Sequence, residues 1–365
     1  MRLVVKIGSN ILAAKEGGLD EKRMRSIADD VSRVSEAGHE VAVVSSGAVA
    51  AGVGRLGLKK RPSEIRLKQA AAAVGQSQLM WLYEKVFNEN EKKVAQILLT
   101  RDVFTDRARY INSKNTILTL LGLGVIPIIN ENDTVAMDEL RFGDNDQLAA
   151  LVAQLMGADR LVILSDVDGL YTADPRHNPE ASLIPAVSEI TREMEKTAGG
   201  AGSSVGTGGM YSKILAARIA MSAGINVNII NGRKPGLLMD ILHGKAHGTL
   251  FQGGVGKLPA RKGWIAYGLK AKGRLTIDEG AEDAILLRGK SLLPSGIKLV
   301  EGDFDRGDPV YCISASGRRL AKGLSNYSAE EVEKIKGLRS SEINTVLGYS
   351  YSDEVIHRDN MAVLD

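Results

Sequence analysis

Leu3-Val4-Val5-Lys6-Ile7-Gly8-Ser9-Asn10 decides the reading of the fold: a short β-branched run, a lysine near its end, then a turn containing glycine. Comparable apolar runs recur at Val41 to Val44, Val94 to Leu99, Val125 to Ile129, Leu161 to Leu164 and Ile225 to Ile230, with helical patterns between them. Strand alternating with helix predicts a mostly parallel central sheet covered by helices on both faces, a three-layer α/β sandwich. Asp20 is placed to cap a helix over Glu21 to Glu36, and Pro62 precedes an Ala-rich helical stretch from Ser63 to Phe87. Ligands of open α/β sheets sit beyond the carboxyl ends of the strands, so the chemistry is expected in the segments that follow these runs.

After about Phe251 the texture changes. Gly253, Gly254, Gly256 and Pro259 read as a linker, and from about Arg261 short strands separated by Gly turns predict a small β-rich barrel. One late helix is expected there, opened by a capping box from Ser328 to Glu331 and supported by a Glu330 and Lys334 pair. The expected division is residues 1–256 and 261–365.

Bulk composition narrows the function classes. With 365 residues, 44% hydrophobic and 25% charged, the chain is long enough for two domains and ordinary for a globular protein. Aromatics are only 4%, so the core is expected to be aliphatic. No apolar run approaches the roughly 20 residues of a membrane span, and no signal-peptide pattern opens the chain, so a cytoplasmic protein is expected. A single cysteine, Cys312, cannot form an internal disulfide or a metal cluster and reads as a small buried hydrophobe. The net charge of +3 is spread thinly, which points to small polar substrates rather than nucleic acid or membrane.

No GxxxxGK[ST] phosphate loop occurs. Gly52, Gly54 and Gly57 spell GxGxxG, but too far beyond their strand for a tight strand-to-helix turn, and read as a loop. More telling is Lys6, because a strand interior seldom keeps an ammonium group without a partner. At a phosphate site it would neutralise charge on a transferred group; otherwise it snorkels out at the strand end.

Ser45-Ser46-Gly47-Ala48 runs from a strand into a helix start whose amides suit an anion, or whose serines simply cap the helix. Asn130-Glu131-Asn132-Asp133 and Gly143-Asp144-Asn145-Asp146, before a helix over Gln147 to Met156, gather acceptors and amides suited to an amino-acid backbone or hydrated Mg²⁺. The bland alternative is an acidic solvated loop with Asp144 as a helix cap. Leu164-Ser165-Asp166-Val167-Asp168-Gly169-Leu170-Tyr171 is a strand leading into a polar turn that suits a nucleotide's ribose or base. Gly206-Thr207-Gly208-Gly209-Met210-Tyr211-Ser212-Lys213 delivers a lysine from a glycine-rich segment to a helix start, which describes a phosphate cradle. None of the five histidines falls in a motif.

Taken in this order, these segments resemble the amino acid kinase family over nearly the whole chain, and their wording is similar to the branch acting on glutamate. The resemblance implies the amino acid kinase fold and transfer of the γ-phosphoryl of ATP, with Mg²⁺, to the γ-carboxylate of L-glutamate on the way to proline. It implies that Lys6 and Lys213 contact the transferred phosphoryl while Asp146 holds those lysines in position. Ser46, Asp133 and Asn145 would bind glutamate. Lys6, Ser165, Asp166, Thr207, Gly208, Gly209, Met210, Tyr211, Ser212 and Lys213 would bind ATP. Where the family often has Thr this chain has Ser165, which keeps the hydroxyl. Feedback inhibition by L-proline and a homo-oligomer, dimer or tetramer, are further implications.

Through Asp278-Glu279-Gly280-Ala281, Ser291-Leu292-Leu293-Pro294-Ser295-Gly296-Ile297 and Gly302-Asp303-Phe304-Asp305-Arg306-Gly307-Asp308, the C-terminal part resembles a PUA domain, a class that commonly binds RNA. Residues 258–365 nevertheless hold 16 Lys or Arg against 16 Asp or Glu, without the basic footprint of nucleic-acid binding, so a structural or regulatory role is expected. Two other readings stay open here: another kinase of the family, acting on aspartate, acetylglutamate, carbamate or a nucleoside monophosphate, and an RNA-binding protein with a degenerate kinase domain.

Overall fold

The computed structural model describes residues 1–14, 18–58, 60, 62–136, 145–199, 209–254, 260–269 and 271–364. The chain divides into two compact units, Met1–Lys257 and Leu258–Asp365. In the first, the apolar runs become β1 (Arg2–Ile7), β2 (Glu40–Ser45), β3 (Val94–Leu99), β4 (Ile126–Glu131), β5 (Arg160–Ser165) and β7 (Asn226–Asn231). Two short strands that the sequence reading missed, β6 (Ala186–Val187) and β8 (Thr249–Phe251), complete a sheet of order β3-β4-β2-β1-β5-β7-β8-β6. Every pairing is parallel except β7 with β8. β1 lies between β2 and β5, so it is covered on both edges and both faces. Its residues from Leu3 to Ile7 are wholly buried.

Helices cover both faces, as the alternation predicts. On one side α1 (Glu21–Glu36), α2 (Ala48–Arg55) and α3 (Ile65–Asn88) pack on Leu3, Val5 and Ile7, Val41 and Val43, and Val162 and Leu164. On the other lie α4 (Arg107–Gly122), α5 (Asn145–Met156) and α6 (Met210–Ser222). Strand side chains alternate with period two, so Lys6 points away from the Leu3, Val5 and Ile7 face and towards α5. Asp20 caps α1 by accepting from the Arg23 amide at 2.9 Å. α5 is buried nearly all round, which is why its sequence is apolar on every face.

The glycine pattern expected to be a loop is helical instead. Gly52 and Gly54 belong to α2, and Gly57 ends the turn after it. The reason is a close helix crossing. A Cβ on Gly52 would stand 1.8 Å from the Ala71 carbonyl oxygen, and one on Gly75 would stand 1.8 Å from that of Ala48. Only hydrogens at these two positions let α2 and α3 meet backbone to backbone.

The second unit has its own core and a five-stranded sheet. β9 (Gly273–Ile277), β10 (Ile297–Gly302), β11 (Pro309–Ile313), β12 (Arg319–Leu324) and β13 (Met361–Val363) run in the order β10-β9-β11-β12-β13. The expected capping box is present, with Ser328 accepting from the Glu331 amide and Glu331 from that of Ser328. The ion pair on that helix joins Glu333 to Lys336 rather than Glu330 to Lys334. Cys312 is fully buried, and burial pushes its thiol up to about 12, so it behaves as a hydrophobe. Gly256 and Pro259 of the linker lie outside the described residues.

Candidate active site

The carboxyl ends of β1, β2, β4 and β5 converge on one buried ionic cluster. Lys6 Nζ lies 2.5 Å from Asp146 Oδ1, and Lys213 Nζ lies 3.3 Å from Asp146 Oδ2. The Ser212 hydroxyl donates to Asp146 Oδ2 at 2.6 Å. Lys6 and Asp146 are fully buried and Lys213 is 6% exposed. Burial pushes the Asp146 carboxyl up, but the two ammonium groups and the hydrogen bonds from Lys6 and Ser212 outweigh it and hold the group below the usual carboxylate range. With both lysines charged the trio carries one net positive charge in a low-dielectric interior. Such a cluster is stabilised by an arriving anion.

Each member is placed by its local sequence. Lys6 sits one residue from the end of β1, paired in register with Val44 and Ile163. After it Gly8 hydrogen-bonds the Leu164 carbonyl, and a Cβ there would stand 3.8 Å from the Lys6 ammonium, so glycine leaves that side of the lysine open. Asn145 and Asp146 open the described part of α5, two residues earlier than the sequence suggested. Met210, Tyr211, Ser212 and Lys213 form the first turn of α6, with Gly209 as its cap residue. Thr207 and Gly208, expected to bind ATP, lie outside the described residues, as do Gly143 and the expected cap Asp144.

Beside the cluster runs a network of amides. The Asn145 Nδ2 donates to the Ser45 carbonyl and, at 2.7 Å, to Asn130 Oδ1. Asn130 Oδ1 also accepts from the Glu131 amide, and Asn130 Nδ2 donates to Gln76 Oε1 at 2.8 Å. Both hydrogens of the Asn145 amide are thus engaged, leaving its Oδ1 as an acceptor. Neither Ser45 nor Ser46 caps α2. Ser45 Oγ meets Tyr83 Oη at 2.7 Å, while Gly47, at φ 105°, turns the chain into the helix. Among the described residues Ser46 Oγ is buried with no hydrogen-bond partner, which fits a ligand-facing hydroxyl better than a cap. Asp133 lies in the turn that follows β4.

Ser165 ends β5 and Asp166 follows it, next to the first motif: Asn10 Nδ2 donates to Asp166 Oδ2 at 3.1 Å. Two residues on, Asp168 accepts from Lys234 at 2.7 Å and from Asn231 at 3.2 Å, and the hydrogen bond from Lys234 is the largest influence holding its carboxyl below the ordinary value. Sequence reasoning missed Gln76, Asn231 and Lys234 as members of this region and gave Asn130 no role of its own. Asn130 stood inside a quoted motif. The others are separated in sequence from what they touch, and no local pattern marks them.

Among the described residues no group of three or more His, Cys, Asp or Glu converges in a way that could hold a metal ion. Asp146 has both oxygens committed to lysines and Ser212. This donor set does not fit a Mg²⁺ ion caged by protein.

A mostly parallel αβα sheet thus carries a buried Lys-Asp-Lys cluster at its strand ends. The model of the amino acid kinase family matches residues 1–231 and that of the PUA domain matches residues 273–347. The chain belongs to the amino acid kinase family. It is 53% identical over 363 residues to a glutamate 5-kinase of Geobacter sulfurreducens, covering 100% of this chain and 97% of that protein. It is 50% identical over 365 residues to a glutamate 5-kinase of Thermoanaerobacter sp. (strain X514), covering 100% and 98%. Among solved structures an isopentenyl phosphate kinase matches 69% of this chain and 100% of its own, with a TM-score of 0.50 and 18% identity, a likeness of fold alone.

Proposed function

We propose that this chain transfers the γ-phosphoryl group of ATP to the γ-carboxylate of L-glutamate, giving L-glutamyl 5-phosphate, the first step towards proline. The observation that carries this reading is the buried trio of Lys6, Asp146 and Lys213, supported by the full-length likeness to glutamate 5-kinases. A carboxylate is ionised at neutral pH, so its attack on phosphorus needs no general base. That agrees with a site built of lysines and amides. Catalysis then rests on alignment and on neutralising charge at the transferred group.

In this reading Lys6 and Lys213 meet the phosphoryl oxygens, and Asp146 holds the two cations at a spacing they would not otherwise tolerate. Asn145, through its remaining Oδ1, and Asp133 receive the substrate ammonium, and Ser46 Oγ donates to a substrate carboxylate. Ser165, Asp166 and the segment from Thr207 to Lys213 hold the nucleotide, with Mg²⁺ carried on its phosphates. Residues 1–256 serve as the catalytic domain and 261–365 as a PUA-like domain that tunes it. L-Proline, also an α-amino acid, competes at Ser46, Asp133 and Asn145. The enzyme works as a homo-oligomer in the cytoplasm. No described helix is long and apolar enough to cross a membrane.

The test is a coupled ADP-release assay over a panel of amino acids, with hydroxylamine trapping the acyl phosphate. Turnover with L-glutamate and its hydroxamate is the expected result. ADP release with another acceptor and none with glutamate would overturn the assignment.

A further inference from the structure

We propose that Gln76 is a substrate-binding residue whose amide N–H donates to the carboxylate at the unreactive end of the amino acid, an inference that rests on the function proposed above. The argument starts from two backbone groups that cannot exchange roles. The Ser45 carbonyl can only accept, so the Asn145 side chain presents Nδ2 to it. The Glu131 amide can only donate, so Asn130 presents Oδ1 to it and to Asn145. Asn130 Nδ2 is then the donor towards Gln76, and Gln76 Oε1 is the acceptor. The chain of amides has one direction, from Asn145 through Asn130 to Gln76, and it ends on Gln76 Nε2.

That last nitrogen is buried and, among the described residues, has no hydrogen-bond partner. Leaving a buried amide donor unmet is costly, so a relay this firmly oriented implies an acceptor that arrives with a ligand. Position supports the same ligand as Ser46. Gly75, the residue before, packs directly on the Ala48 carbonyl and the Gly52 amide, which seats Gln76 at the first turn of α2, where Ser46 Oγ is likewise buried without a partner. The relay leads away from Asp146, the neighbour of Asn145 and the centre of the phosphoryl cluster. Its terminal donor therefore meets the α-carboxylate and not the attacking γ-carboxylate.

Two variants of the full-length protein separate this role from a structural one. Gln76→Leu removes both amide groups. Gln76→Glu keeps the shape and an acceptor for Asn130 but replaces the donor by a charged oxygen. Both are expected to raise the KM for L-glutamate about ten- to hundredfold, the loss of one hydrogen bond to a charged group, while kcat and the KM for ATP hold. Calorimetric titration with L-glutamate alone reads the same loss without turnover. If Gln76→Glu saturates like the wild type, Gln76 only steadies Asn130 and the inference is wrong. A fall in kcat at unchanged KM would overturn the placement at the unreactive end. Failure of the wild-type chain to phosphorylate glutamate would instead defeat the functional reading before any variant is compared.

Discussion

Asp146→Asn keeps the shape of the side chain and removes only its charge, which makes it the sharpest probe of the buried cluster. Lys6 and Lys213 face that carboxylate at 2.5 and 3.3 Å. At an effective dielectric constant near 20 each attraction is worth roughly 5–7 kcal/mol before the desolvation of the ions is counted. Removing one partner of a buried pair costs about 3–5 kcal/mol overall. For a unit of this size that lowers the melting temperature by roughly 6–20 °C.

Two ammonium groups left facing each other relieve the strain when one gives up its proton. The site then lacks one cation, and turnover is expected to fall about 10²–10³-fold, the usual loss when one stabilising group is removed from developing charge. The pH dependence identifies the cause. In the wild type the Asp146 carboxyl lies below its ordinary value of 3.8, so its stabilisation is complete above that pH and is lost only as pH falls through the folded value. In Asp146→Asn the depressed group is a lysine, so turnover should recover as the assay is moved from about pH 9 to about pH 6. Steady-state kinetics across that range and thermal melting decide the matter. Wild-type turnover in the variant, or a loss that does not lessen on acidification, would refute the reasoning.

Lys213→Ala is expected to lower kcat far more than it raises the KM for glutamate, because its cation meets charge chiefly in the transition state; unchanged kcat in initial-rate kinetics would remove it from the mechanism. Gly75→Ala would set a Cβ 1.8 Å from the Ala48 carbonyl oxygen and 2.3 Å from the Gly52 nitrogen, forcing α2 and α3 apart at a cost of about 1–3 kcal/mol or more, read as a lowered melting temperature by circular dichroism. A protein ending near Gly256 is expected to keep glutamate-dependent ADP release and to lose part of its inhibition by L-proline. A well-folded truncated protein with no turnover would mean that the C-terminal unit completes the site.

How much of this was legible in the sequence follows from the range of the interactions involved. Apolar runs of five or six residues bounded by turns are local, and so are the Asp20 cap and the Ser328 capping box; each formed where the pattern placed it. Lys6 was conspicuous because a lysine in an apolar strand violates a local rule, and the violation pointed to a functional group. The partner that makes it tolerable, Asp146, lies 140 residues away, and only the folded sheet brings α5 against β1. β6 and β8, at two and three residues, are too short to carry a periodic signal. The GxGxxG string is a further case: its meaning depends on Ala71 and Gly75 of another helix, so a local reading took a packing seam for a loop. The direction of the amide relay through Asn145, Asn130 and Gln76 is likewise invisible in the chain, because a side-chain amide can face either way until fixed backbone groups, the Ser45 carbonyl and the Glu131 amide, dictate which end donates.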